Sequence, residues 1–308
     1  MLNNKLVSVI LNCRNSQSFL KDCIDSILIQ SYKNFEIILI DNQSTDNTKK
    51  IIFSYNDERI KYFRTNEFLS LGAARNIALS KSNGEYLAFI DSDDIWEKDK
   101  LHYTINKFKN GVGLVYSDVV YFNEEKSFNL YDHRRPYTGD CFKHLLHDYN
   151  LCMSSCVVSN ILIKKNNIKF DPKLKVCEDL DFFLKISYLS KISFVDEILV
   201  RYRIHKNNLS SKFLDLFYEE YEITVKNLIS FFNINEDQFI KALDINIINK
   251  SKFLWKKNKI RSAFKTLRTI KILLLSRIFY SILILVPYKI VRFIYSPFSV
   301  SKIEFNDS

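Results

Sequence analysis

The chain has 308 residues, of which 47% are hydrophobic, with 25 Phe and 17 Tyr, so it can bury a sizeable core and is not a disordered protein. Gly and Pro number only five and four, no low-complexity linker appears, and no repeat of roughly 20–50 residues is visible. The net charge of +10 is unevenly placed: 13 Lys and Arg and no Asp or Glu lie between Lys250 and Lys302, while the rest of the chain nets −3, so two regions with different jobs are expected.

Residues 6–12 form a β-branched apolar run ending at the polar Asn12. Phe19, Leu20, Ile24, Ile27 and Leu28 then recur at helical spacing between Ser18 and Gln30. A second apolar run from Phe35 to Ile40 ends at Asp41, residues 44–55 read as a helix, and Ile60 to Phe63 as a strand. Ala73 to Ser80 suit a helix, and Glu85 to Ile90 a fourth strand that ends at Asp91. Short strands alternating with helices predict an α/β fold, a Rossmann-like mainly parallel sheet with helices on both faces. In such sheets ligands bind beyond the carboxyl ends of the strands, where Asn12, Asp41 and Asp91 fall. Loops favour polar residues at strand ends in any case, so the set carries more weight than any one of the three.

Beyond residue 110 the pattern turns mixed. Val112 to Phe122 and Phe194 to Tyr202 read as strands, separated by an irregular stretch over 123–177 that suits an acceptor-binding half. Residues 213–268 read as helices. The expected division is a catalytic domain over 1–212, with a nucleotide-binding half at 1–110 and an acceptor half at 111–212, followed by a helical, basic region over 213–308. The six cysteines form no CxxC pair and no zinc-finger spacing, and are read as buried thiols in a reducing compartment. Met1 to Lys5 lead straight into a strand, with no secretory pattern, so a cytoplasmic location is expected.

Asp91-Ser92-Asp93-Asp94 places three carboxylates within four residues directly after an apolar strand. Like charges so close repel unless a cation or strong donors compensate. Mg2+ and Mn2+ take oxygen ligands and are often held by one or two carboxylates plus substrate phosphates, so a divalent ion here would neutralise charge on a diphosphate leaving group. The plainer alternative is a solvated helix N-terminus, for which Asp94 is a natural cap.

Five blocks in order resemble the family 2 glycosyltransferases: Ser8-Val9-Ile10 with Asn12; Phe35 to Thr48; Gly72-Ala73-Ala74-Arg75-Asn76; Tyr86 to Trp96; and Glu178-Asp179 before Phe182-Phe183-Leu184. The resemblance covers about residues 5–210. It implies a GT-A fold and an inverting transfer from a nucleotide-activated sugar, with a UDP-sugar as donor. Asn12 and Asp41 match the family's nucleobase contacts, Arg75 the arginine near the nucleotide, and Asp91 and Asp93 the DxD pair that touches the ribose and holds Mn2+ or Mg2+. Asn42-Gln43 stand where many relatives carry Asp-Gly. Asp179 matches the general base, which must come from a segment separate from the metal site and lies 86 residues beyond Asp93; an ordinary N-cap is the alternative for Glu178-Asp179. Tyr202, Arg203, His205, Asn208 and Ser210 fit a further family pattern, with His205 as an extra metal ligand or diphosphate contact. Trp96, Glu178 and Arg203 complete the candidates, as acceptor or diphosphate contacts.

In the C-terminal segment the longest uncharged apolar stretch, Ile278 to Tyr288, has 11 residues, too few for the roughly 20 that span a bilayer. A basic, aromatic-rich segment suits peripheral membrane contact through 250–302 on the inner face of the cell membrane, and hence a glycan or lipid-linked acceptor in cell-surface polysaccharide synthesis. A helix packed on the catalytic domain or a dimer interface are the alternatives, and nucleic acid is not expected as a partner, since the apolar residues would be wasted on a phosphate backbone. Two competing readings of the whole chain are a sugar nucleotidyltransferase and a non-catalytic membrane-bound scaffold. The first usually carries a Gly-rich phosphate loop, and residues 11–20 contain no Gly.

Overall fold

The computed structural model describes residues 4–132, 134–206, 208, 214–286 and 288. Two compact units divide the chain at Phe213/Leu214. In the first, β1 (Val7–Cys13), β2 (Phe35–Asp41), β3 (Ile60–Arg64) and β4 (Tyr86–Asp91) pair in parallel. Residues 7–11, 35–41 and 86–90 of β1, β2 and β4 are buried throughout, as strands covered on both faces must be. The register sets Asn12 beside Asp91 and Cys13 beside Asp41, so the polar strand ends fall on one edge.

Side chains alternate along β4. Ala88 and Ile90 join the core with Leu20, Ile24 and Ile27 of α1 (Leu20–Leu28). Phe89 meets Phe182 and Phe183 of α7 (Glu178–Leu189) edge-on, within a cluster where Phe170 stacks on Phe182 at 3.9 Å. Helices therefore cover both faces, as expected. Between them come α2 (Thr48–Ile52), α3 (Leu71–Lys81), α4 (Lys100–Ile105), α5 (Phe142–His147) and α6 (Asn160–Lys165).

The rest of the sheet is mixed. β5 (Ile95–Trp96), β6 (Val112–Phe122), β7 (Ser127–Asn129), β8 (Val157–Ser159) and β9 (Lys191–Arg203) complete the described strands, in the order β3-β2-β1-β4-β8-β6-β9-β5 with β7 on β6. β8 runs antiparallel between β4 and β6, β5 antiparallel on β9, and β6 and β9 pair in parallel through three register shifts. Parallel pairing thus dominates only up to residue 91. β5 and β8 have two and three residues, too short to leave a periodic signal in the sequence.

The second unit holds α8 (Leu214–Phe232), α9 (Ile240–Lys256), α10 (Ile260–Leu267) and α11 (Leu274–Leu283), around a small core of Ile248, Trp255, Ala263, Leu267, Ile270 and Ile284. No described helix is long and apolar enough to cross a membrane. The six cysteines are buried free thiols, as expected.

Candidate active site

The Gly72-to-Asn76 block shows why those residue types occur together. A Cβ on Gly72 would lie 2.9 Å from the carbonyl oxygen of Asp171, so only glycine lets α3 approach that strand of backbone. Asn76 brackets Phe170, donating through Nδ2 to its carbonyl at 2.8 Å and accepting its N–H at 3.0 Å. Ser70 donates to the carbonyl of Pro172 at 2.7 Å. These bonds fix the segment that leads into α7, and with it Glu178 and Asp179.

Arg75 joins the two carboxylate clusters. Its guanidinium donates to Asp91 Oδ1 and Glu178 Oε1, both at 2.9 Å, with the arginine almost wholly buried. Burial pulls the guanidinium's pKa down, but the charges of Asp91, Glu178 and Asp179 outweigh it and raise the pKa overall. Arg75 is therefore committed to carboxylates rather than open to solvent. Glu178 Oε2 is buried with no hydrogen-bond partner, and burial pushes this carboxyl up to about 7 against the opposing pull of Arg75. Asp179 is half-buried; Tyr149 donates to its Oδ2 at 3.1 Å and the Leu180 N–H to its Oδ1 at 2.7 Å. Burial raises the Asp179 carboxyl above the usual range, opposed by Arg75, the Leu180 N–H and Tyr149.

Within the first cluster the three aspartates differ. Asp91 and Asp93 keep side-chain exposures of 35% and 26%. Asp93 Oδ2 meets His205 Nε2 at 2.9 Å, and burial followed by the charge of Asp91 raises its carboxyl. Asp94, expected as a helix cap, instead lies buried in a strap between two strands. It accepts the Ser154 hydroxyl at 2.5 Å and the Arg203 N–H at 2.9 Å, and burial with its two aspartate neighbours lifts its carboxyl well above the ordinary range. Ser154 Oγ also accepts the Asp91 N–H at 3.0 Å, so one hydroxyl fixes both ends of the cluster.

β5 carries the chain from this cluster onto β9, which brings in the Tyr202-to-Asn208 motif. Arg203 donates to the carbonyl of Asp93 at 3.0 Å and to Asp22 at 3.1 Å, and its guanidinium lies over the rings of Phe19 and Phe122. It thereby braces the loop. Asn208 accepts the His205 N–H and donates to the Arg203 carbonyl, holding the turn that presents His205. Ser210 lies outside the described residues. Trp96 is 1% exposed and donates to the Ser154 carbonyl at 2.8 Å, so an acceptor cannot touch it. Trp96 packs in the core instead.

Asn12 has both side-chain polar atoms buried without a hydrogen-bond partner. Asp41 is fully buried, its oxygens accepting the Ser44 N–H at 2.8 Å and the Tyr62 hydroxyl at 2.9 Å. Gln43, at the position of the family's glycine, has φ +61°; the turn keeps its left-handed geometry with a side chain that disfavours it. Asn42 ties this turn to Leu69 through both its amide oxygen and nitrogen.

Among the described residues no three His, Cys, Asp or Glu are arranged to hold a metal by themselves. Two partly exposed carboxylates at Asp91 and Asp93 fit a Mg2+ or Mn2+ ion that takes its remaining ligands from substrate phosphates and water. Sequence reasoning missed Ser154 and Tyr149, and read Asp94 too lightly. Ser154 and Tyr149 lie in the irregular region, where no motif marks them.

An α/β sheet thus sets Asp91 at a strand end, and a buried arginine joins it to Glu178 at the start of α7. Residues 8–169 match the family described as Glycosyl transferase family 2, and the chain belongs to that family and is a glycosyltransferase. Over 223 residues it is 30% identical to UDP-Glc:alpha-D-GlcNAc-diphosphoundecaprenol beta-1,3-glucosyltransferase WfgD of Escherichia coli, covering 70% of this chain and 84% of that one. The fold is similar to S. aureus TarS 1–349 in complex with UDP-GlcNAc, with a TM-score of 0.65 at 20% identity over 86% of this chain and 81% of that one. It is also similar to the mannosyltransferase PcManGT from Pyrobaculum calidifontis in complex with GDP-Man and Mn2+, with a TM-score of 0.61 at 16% identity over 86% and 74%. The fold is GT-A.

Proposed function

We propose that this glycosyltransferase inverts the anomeric centre as it moves a sugar from a UDP-sugar to a hydroxyl of a lipid-linked glycan in cell-surface polysaccharide synthesis. The observation that carries the reading is the Arg75 bridge between Asp91 and Glu178. It ties the carboxylates suited to the leaving group to the segment bearing Asp179, as a single displacement requires of its two ends. Residues 1–110 serve the nucleotide and 111–212 the acceptor.

Asp91 and Asp93 would hold Mn2+ or Mg2+, which supplies charge stabilisation to the departing diphosphate. His205 orients Asp93 and adds a donor beside it. Asn12, with its two unpaired polar atoms, recognises the nucleobase, and Asp41, sealed by the Ser44 N–H and the Tyr62 hydroxyl, holds the turn beside it. Asp179 takes the proton of the acceptor hydroxyl as the new bond forms, and its raised pKa makes it a stronger base than an ordinary aspartate. Tyr149 and the Leu180 N–H fix the orientation of its carboxylate. The donor and the lipid-linked acceptor are supported by the WfgD name alone, which carries both UDP-Glc and a diphosphoundecaprenol acceptor.

The test is transfer from a panel of UDP- and GDP-sugars to an undecaprenyl-diphosphate glycan, with Mn2+ present. Asp93→Ala and Asp179→Ala should each lower turnover by about 10²–10⁴-fold with the fold intact by circular dichroism. Full activity in either variant would sink the assignment.

A further inference from the structure

In the helical unit, Asp244 of α9 is buried and accepts the N–H groups of Lys271, Ile272 and Leu273 at 2.7–2.9 Å. A carboxylate gathering the three N–H groups just ahead of α11 anchors the turn that leads into that helix. The packing then fixes which way it faces. Tyr280, Leu283 and Ile284 sit against the core, and Trp255 donates to the Val286 carbonyl at 3.1 Å. The opposite side carries Leu275, Ile278, Phe279 and Ile282, with Leu285 in the turn just past the helix, exposed by 55–84%.

The outward face of a helix on a water-soluble unit is ordinarily polar. Here the spacing i, i+3, i+4, i+7 places large apolar side chains in one contiguous stripe, unlike singly scattered surface residues. Along the chain the charge is of one sign: from Lys250 to Tyr288 there are ten Lys and Arg and no Asp or Glu, with Lys250 and Lys271 paired to Glu219 and Glu236. Lys252 and Lys256 lie over the rings of Tyr280 and Tyr288, which pack against the core on the other side of the helix from the stripe.

We infer that α11 is an interfacial helix whose Leu275–Ile278–Phe279–Ile282–Leu285 face enters an anionic lipid surface while the surrounding Lys and Arg meet the headgroups. A helix of ten residues is too short to cross a bilayer and suited to lie in its interface. Cationic flanks favour anionic lipid over a second copy of the same surface, since two such faces would bring like charges together. The inference goes beyond the proposed reaction and adds a means of meeting a lipid-linked acceptor.

Flotation of the full chain with phosphatidylcholine vesicles, with and without about one third phosphatidylglycerol, tests it. Binding is expected only to the anionic vesicles, weakened near 1 M salt, where screening shortens to about 3 Å. The double variant Leu275→Glu/Ile282→Glu, at exposed positions, should lower binding by at least about tenfold while leaving UDP-sugar hydrolysis unchanged. Asp179→Ala should float like the parent, so loss of the transfer reading and loss of this one are seen separately. The inference is overturned if the full chain ignores anionic vesicles. It is equally overturned if the chain forms a dimer that the double variant splits, or binds vesicles only once residues 289–308 are removed.

Discussion

The two acidic clusters of the first unit, Asp91–Asp94 and Glu178–Asp181, are held by different partners. Each seals carboxylate from solvent: Asp94 in the first, taken by a hydroxyl and a backbone N–H, and in the second both Glu178 and Asp181, the latter paired with Lys185 at 2.5 Å. Each also leaves a carboxylate partly open, Asp93 in one and Asp179 in the other. Arg75 links Asp91 to Glu178. The difference lies in the compensation. The second cluster sits on a helix N-terminus, with Lys185 one turn on, whereas the first meets backbone, hydroxyl and imidazole donors and keeps two exposed acids that a divalent cation would suit. Composition alone does not separate structural from reactive acids; burial and partner type do.

The sharpest way to break this comparison is to remove the link. Arg75→Met should destabilise the first unit by about 3–5 kcal/mol, because it strands Asp91 and Glu178 at the same time. Urea unfolding reads this directly, and a loss below about 1 kcal/mol would show that the bridge is dispensable. Next comes the sealed acid. Asp94→Ala leaves the Ser154 hydroxyl and the Arg203 N–H without their acceptor and should cost about 2–3 kcal/mol, with transfer falling in parallel as the loop loosens.

A smaller effect is expected at the open acid. The Tyr149 hydrogen bond holds the Asp179 carboxyl down. Tyr149→Phe therefore raises its pKa further, and the acid limb of the transfer pH profile should move to higher pH, with less than about tenfold loss on the alkaline plateau. An unmoved limb, or one shifted to lower pH, would detach Tyr149 from the base. The smallest effect is a gain: Gln43→Gly relieves a left-handed residue and should stabilise the unit by about 1 kcal/mol in the same urea measurement.

The parallel half of the fold was legible because β1, β2 and β4 are continuous apolar runs ending in polar residues, and parallel register does the rest. The DxD and Glu-Asp motifs likewise marked the two acidic segments that the structure joins through Arg75. What escaped was created by tertiary contact. Ser154 gains meaning only when a 3-10 turn sets it under the acidic loop, and Tyr149 only when α7 comes beside it. Trp96 shows the converse: an aromatic beside a motif, with nothing in the sequence to say that it points inward.

β8 is the shortest interior strand of the sheet, with three residues against β4 and two registered residues against β6. The sheet thus has a seam, and the Asp91–Asp94 loop crosses it, leaving β4 on one side and reaching β9 through β5 on the other. A ligand gripping that loop would act as a clasp on two leaves that are otherwise joined by few backbone bonds. Amides along β8 would then exchange with solvent through a small local opening in the free protein and become slow when the loop is engaged.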